Sequence, residues 1–130
     1  MRNDLRSTGR RDRGQAAIEY LGFLPILLIV GLAGLQLGMA AYAAQQAGTA
    51  ARAAARAAAT ADDENAPEPD AAGHAAVSGW ISSRTTITVD GGVATAIVTI
   101  PQVLPFWSFD PVKKTATMPM PETPDEEDLP

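Results

Sequence analysis

The sequence predicts an α+β protein: one long amino-terminal helix, transmembrane in its first half, followed by a small antiparallel β hairpin or three-stranded meander. Three observations carry that prediction. Tyr20 to Ala44 is uncharged and almost wholly apolar. Ala40 to Ala61 is dominated by alanine. Thr85 to Ile100 holds two β-branched runs on either side of Asp90-Gly91-Gly92.

The apolar run is long enough to cross a bilayer, since about 20 apolar residues span a hydrocarbon core of about 30 Å. In lipid it has to be helical, because a helix satisfies its own backbone groups. Gln36 is its one strongly polar side chain. Pro25 removes a backbone donor and should bend the first turns, which transmembrane helices tolerate.

Beyond the span the helix is expected to continue through residue 61, because alanine has the best intrinsic helix propensity. Gln45, Thr49, Arg52 and Arg56 recur at spacings of four, three and four, which places them on one helical face. The opposite face is nearly all alanine, smooth enough for another helix to approach closely. A helix of about 45 residues would extend about 65 Å.

Residues 62–70 read as an acidic, proline-containing linker. Asp62, Asp63 and Glu64 are unfavourable at a helix carboxyl end, and Pro67 and Pro69 follow. Residues 71–118 read as a small exported domain. Within it Asp70 is expected to cap a short helix over Ala71 to Ser82, with Val77, Trp80 and Ile81 on one side. Gly73 and Gly79 argue against that helix. Thr85–Val89 and Val93–Ile100 are the two strands, and glycine in the intervening turn accepts positive φ. Val112 to Met118 is expected to return as a third strand after the proline-flanked loop around Phe106, Trp107 and Phe109. The tail, residues 119–130, has four prolines and five acids and is expected to be disordered.

Charge divides the chain further. Residues 1–14 form a basic arm, with five arginines against Asp4 and Asp12 for a net of +3. The remainder carries five basic and thirteen acidic residues, a net of −8, which together give the overall −5. Lys and Arg flanking a span set its orientation. Five arginines precede this one, and only Arg52 and Arg56 follow within about 15 residues. The expected topology is therefore single-pass in the plasma membrane, with a cytoplasmic amino terminus and an extracytoplasmic carboxyl domain. Cysteine is absent, which excludes disulfides, thiolate metal sites and cysteine nucleophiles. The exported part is too acidic to expect nucleic acid as a partner.

Three readings compete for the amino-terminal half. Ala41-Tyr42-Ala43 offers a small-x-small site for a secretory signal peptide, but the apolar segment far exceeds the roughly 7–15 residues such a peptide has. An uncleaved anchor is the second reading. The third places a cut on the cytoplasmic side, between Gly14 and Gln15.

Gly14, then four residues, then Glu19-Tyr20 at the head of an apolar helix resembles the prepilin-peptidase site of type IVb (Flp) pilins and TadE-like pseudopilins. Arg13-Gly14, Ala16-Ala17-Ile18, Glu19-Tyr20 and Pro25 occur in the order of the TadE-like pattern. The polar-alanine helix with Gln45, Gln46 and Arg52 is also similar, and the likeness covers about residues 13 to 56. A mature Flp pilin would be shorter and mostly helical, so the added hairpin favours the TadE-like side. The resemblance implies a minor pseudopilin in tight-adherence pilus biogenesis. Its implied partners are a prepilin peptidase, a Flp-type major pilin, other pseudopilins, the membrane assembly platform and the lipid bilayer. An extracellular pilus is then a further destination.

The residues have their own physical reading. Glycine before the cut offers an unhindered, extended backbone. Cleavage would leave a charged α-amino group on Gln15 and make Glu19 the fifth residue of the mature chain. A carboxylate among apolar residues is costly and usually finds a partner. The candidates are its own amino terminus or a neighbouring subunit's, and the resemblance implies the neighbour; otherwise Glu19 merely favours the helix amino end. Gly34 and Gly38 form a GxxxG that Gly31 extends, a stripe that lets helices approach closely in lipid. Gln36 could hydrogen-bond across such a contact.

No catalytic, cofactor or metal site is expected. His74 reads as an exposed bystander, and the aromatic residues Trp80, Phe106, Trp107 and Phe109 as the core of the sheet domain. The rival to the pilus reading is a permanently membrane-anchored binding or adaptor protein.

Overall fold

A computed structural model describes residues 8–118, with side chains described from Asp12 onward. Its element order is α1 (Thr8–Ala59), α2 (Pro69–Ala75), α3 (Gly79–Ser82), β1 (Thr85–Asp90), β2 (Val93–Val98) and β3 (Val112–Thr117). The fold is α+β, with one long helix and a three-stranded antiparallel meander in the order β1-β2-β3. The expected disordered tail, residues 119–130, and the first seven residues of the arm lie outside the described residues.

Helix α1 runs unbroken for 52 residues, through Pro25 and through the change from leucine-rich to alanine-rich sequence. It begins earlier than the sequence suggests. Residues 8–14, part of the basic arm, are its first two turns, and Gly14 is helical. Helix formation is cooperative, so a nucleated apolar helix extends into adjoining residues even across Gly9 and Gly14. At the other end the hydroxyl of Thr60 donates to the carbonyl oxygens of Arg56 and Ala57, closing the last turn.

The alanine face of α1 is covered by the chain itself, by the sheet and by the short helix α2. Ala43, Ala47, Ala50, Ala51, Ala54 and Ala55 are buried against Ile81, Ile87, Ala94, Ala96, Val98 and Ile100. Each methyl contributes little, about 0.8 kcal/mol per buried carbon. Small side chains on both layers instead allow the sheet to lie close on the helix. Gln45, Arg52 and Arg56 remain exposed on the opposite face, as their spacing predicts.

The sheet follows from its register. Asp90 pairs with Val93, leaving Gly91 and Gly92 as a two-residue turn. Both have positive φ, 56° and 81°, the turn whose twist matches the flanking strands. β3 pairs with β2 from Val98↔Val112 to Val93↔Thr117. One face of the sheet, with Ile87, Ala94, Ala96 and Val98, meets α1. The other carries Thr86, Thr88, Thr95 and Thr115, with Thr88↔Thr95↔Thr115 forming one row.

The single helix expected over Ala71 to Ser82 is two short ones, and Asp70 caps neither. Glu68 occupies the position before α2, Pro69 opens it, and Asp70 lies inside its first turn. The break follows from contacts with α1, where the Gln46 side-chain oxygen accepts a hydrogen bond from the Ser78 N–H at 3.3 Å. Gly73 is the point of closest approach. A Cβ there would lie 2.3 Å from Ile87 Cδ1 and 3.1 Å from the Ala50 carbonyl oxygen. Gly73→Val is therefore expected to destabilise the sheet domain by about 1–3 kcal/mol through overpacking. Hydrogen exchange in detergent should show lost amide protection in α2 and β1, while the span stays protected.

Candidate assembly and membrane surfaces

The lower half of α1 stands alone. From Ile18 to Val30 every large apolar side chain is between 49% and 72% exposed. A helix that is apolar all round belongs in lipid or among other helices. α1 is long and apolar enough to cross a membrane.

The predicted processing and assembly residues sit at the head of this stretch. Gly14, Gln15, Glu19 and Tyr20 are all exposed and all helical. The bond between Gly14 and Gln15 is thus not in the extended conformation expected from the sequence, and a protease would have to open the helix locally. Gln15 and Glu19 are one turn apart on the same side, as i,i+4 spacing requires. Glu19, Tyr20 and Phe23 line one shallow surface depression.

Gly31, Gly34 and Gly38 are exposed, and a Cβ built on any of them would meet nothing within 4 Å. Gln36 does not share their face. At 100° per residue it points about 170° away from the middle of the stripe. Its role differs from the cross-helix bond suggested by the sequence. Gln36 Nε2 donates to the Pro101 carbonyl oxygen at 3.1 Å, and its Oε1 accepts from the Val103 N–H at 2.8 Å. Its side chain is 1% exposed, with both ends satisfied by one loop of the same chain. The sheet domain therefore hangs on one side of the span, and the glycine stripe is open on the other.

The aromatic residues do not form the core that their size suggested. Phe106 is 74% exposed, Trp107 47% and Trp80 44%. Trp80 stacks on Tyr42 of α1, with ring centroids 5.7 Å apart. Trp107 lies against Phe109, with centroids 5.5 Å apart. Only Phe109 packs partly against the cluster of Ala43, Ala47 and Ile81.

His74 is a half-buried link, not a bystander. Its Nδ1 is 2.9 Å from Ser82 Oγ, and its Nε2 is 3.4 Å from a carboxylate oxygen of Asp70. The Asp–His–Ser sequence of contacts has the outline of a nucleophilic triad, but its surroundings do not support one. Asp70 is 69% exposed, so its carboxylate is solvated and not held dry against the imidazole. The Ser82 and Ser83 N–H groups already donate to the carbonyl oxygens of Ser78 and Gly79 and cannot serve an oxyanion. The arrangement fits a clasp between α2 and α3.

One feature escaped the sequence altogether. Lys114 of β3 and Arg52 of α1, with Ala44, Gln45, Gly48 and Thr49, line one groove of about 520 Å³. Sixty-two residues separate the two cations in sequence (114 minus 52), and only the β2–β3 register brings them together.

Residues 14–56 match the family model described as TadE-like protein. The matched segment starts at Gly14, includes Glu19, Tyr20 and the three glycines, and ends at Arg56. It takes in 43 of the 130 residues (14 through 56), so the sheet domain lies outside it. No curated protein and no solved structure matches the chain.

Proposed function

We propose, from the TadE-like match over residues 14–56, that the chain acts in the tight-adherence pilus system as a minor pseudopilin. The observation that carries this reading is that the match takes in the exposed, unpartnered half of α1 from Gly14 onward. In this reading a prepilin peptidase cuts between Gly14 and Gln15. Glycine inside a helix costs about 1 kcal/mol relative to alanine, which eases the local opening the cut requires. The mature helix then packs among Flp-type pilins and other pseudopilins, with Gly31, Gly34 and Gly38 allowing close approach. The assembly platform in the membrane is the remaining partner. The protein does no chemistry of its own, and its sheet domain is exported.

Amino-terminal mass spectrometry after co-expression with a cognate prepilin peptidase tests the reading. A start at Gln15 supports it; an intact Met1, or a start at Ala44, removes it. Orientation is tested separately. A reporter active only outside the cytoplasm should work when fused after Thr60 or Pro130, since five arginines precede the span and two follow it. Activity confined to a cytoplasm-dependent reporter would invert the topology.

The groove of Arg52 and Lys114 favours a second reading, a permanently anchored binding or adaptor protein. Two cations on the exported domain suit an acidic partner. This reading leaves the arginine arm uncut, so the same mass spectrum separates the two.

A further inference from the structure

We propose that Phe106 and Trp107, together with the Tyr42–Trp80 stack, form an aromatic collar seated in the interfacial layer of the membrane leaflet on the carboxyl side of the span. The inference rests on α1 crossing the bilayer, not on the pilus role.

The loop between β2 and β3 has a fixed height along α1. Gln36 holds Pro101 and Val103 beside the span through two hydrogen bonds. Leu104, the next residue, is buried, and Phe109 packs against the cluster of Ala43, Ala47 and Ile81. Phe106 and Trp107 project outward from a loop anchored at both of its sides. They cannot turn into the core, because alanine, Ile81, Val98 and Leu104 already fill it.

That height coincides with the expected membrane boundary. Tyr20 to Gln36 is 16 residues, about 24 Å, and Tyr20 to Tyr42 is 22 residues, about 33 Å. The two values bracket the roughly 30 Å hydrocarbon core. Tyr20 marks one boundary, and the loop and the Tyr42–Trp80 stack mark the other. Tryptophan and tyrosine favour such boundaries because their rings are apolar and their N–H or O–H groups are polar. The one charge in the loop, Asp110, follows Phe109 at its end and is exposed. The nearest basic residue upward on α1, Arg52, is ten residues beyond Tyr42, about 15 Å further into water.

The collar would keep the sheet domain flush with the bilayer.

The test uses the full chain in fluid vesicles of phosphatidylcholine and phosphatidylglycerol. The protein has two tryptophans, so Trp80→Phe leaves Trp107 as the single reporter and keeps an aromatic ring against Tyr42. Nitroxide-labelled lipids carry the quencher on the headgroup, near the acyl carbonyl, or near the terminal methyl. Trp107 is expected to emit at short wavelength. Its quenching by the carbonyl-level label should exceed that by the terminal-methyl label several-fold. In the reciprocal Trp107→Phe chain, Trp80 should be quenched most by the headgroup label. Protein that floats with vesicles while Trp107 answers only to an aqueous quencher would overturn the collar. So would strongest quenching at the terminal methyl, or shielding that arises only when a Flp-type pilin is added. Failure to float with vesicles would remove the span and the collar together.

Discussion

Gly14→Val is expected to abolish removal of the arginine arm, leaving a full-length chain in the membrane. The substitution is well suited to the question because it should not disturb the fold. Gly14 is exposed on α1, and a Cβ there has nothing within 4 Å. Two effects then act against cleavage. The branched side chain hinders the protease at the residue before the cut, and the helix becomes harder to open, because valine is a better helix former than glycine. Gly14→Ala separates the two. It adds a single methyl but stabilises the helix by about 1 kcal/mol, which alone should slow cleavage roughly fivefold. A time course with prepilin peptidase, followed by intact-mass measurement, should therefore rank glycine, alanine and valine from fast to undetectable. Equal rates for all three would show that no protease reads this position. Slowing by alanine as severe as that by valine would place the whole effect in helix opening.

The features legible from the sequence are those fixed by neighbours along the chain. The span, the long alanine helix and the glycine turn at Gly91-Gly92 each follow from a local rule: length in lipid, propensity, and positive φ. The third strand was legible because Val112–Thr117 repeats the β-branched pattern of the first two. Errors arose wherever the partner lay far away in sequence. An alanine face fits a second helix or a close sheet equally well, and only the fold shows that the sheet and α2 share it. Gln36 is a polar residue in an apolar run, so a bond to another helix was the simplest expectation. Its partners are instead 65 and 67 positions away. Trp80 and Trp107 were placed in the core for their size, which presumes a core deep enough to hold them. A layer of alanines against a three-stranded sheet has no such depth. The Gly73 approach and the shared groove of Arg52 and Lys114 likewise depend on register and packing that no local pattern encodes. At the candidate site the sequence places Gly14, Glu19 and Tyr20 at the head of the apolar run, but the helical state of the Gly14–Gln15 bond is not legible in it.

In the pseudopilin reading, Glu19→Gln should give a cleaved, membrane-resident protein that no longer associates with Flp-type pilins. Glu19 is exposed on α1 and makes no ion pair among the described residues. A lone carboxylate at the head of an apolar helix has two ways to be compensated once the arm is removed: the new amino group of its own Gln15, one turn away, or that of an adjacent subunit. In an assembled bundle both groups would lose water, and a desolvated pair that loses one partner can cost roughly 3 kcal/mol or more. That corresponds to more than about a hundredfold in association. Glutamine keeps the shape and removes the charge, leaving the partner amino group buried and unpaired. Insertion should not suffer, because it depends on the apolar length from Tyr20 onward, and glutamine is less costly in lipid than a carboxylate. Cleavage should also continue, because Gly14 and Gln15 are unchanged. Site-specific crosslinking from the glycine-stripe face, for example from a probe replacing Leu35, is the deciding measurement. Crosslinks to Flp-type pilin should fall at least tenfold in Glu19→Gln while the processed band and the membrane fraction stay at wild-type level. Crosslinking at wild-type strength would reduce Glu19 to an interfacial carboxylate that favours the helix amino end and plays no part in assembly.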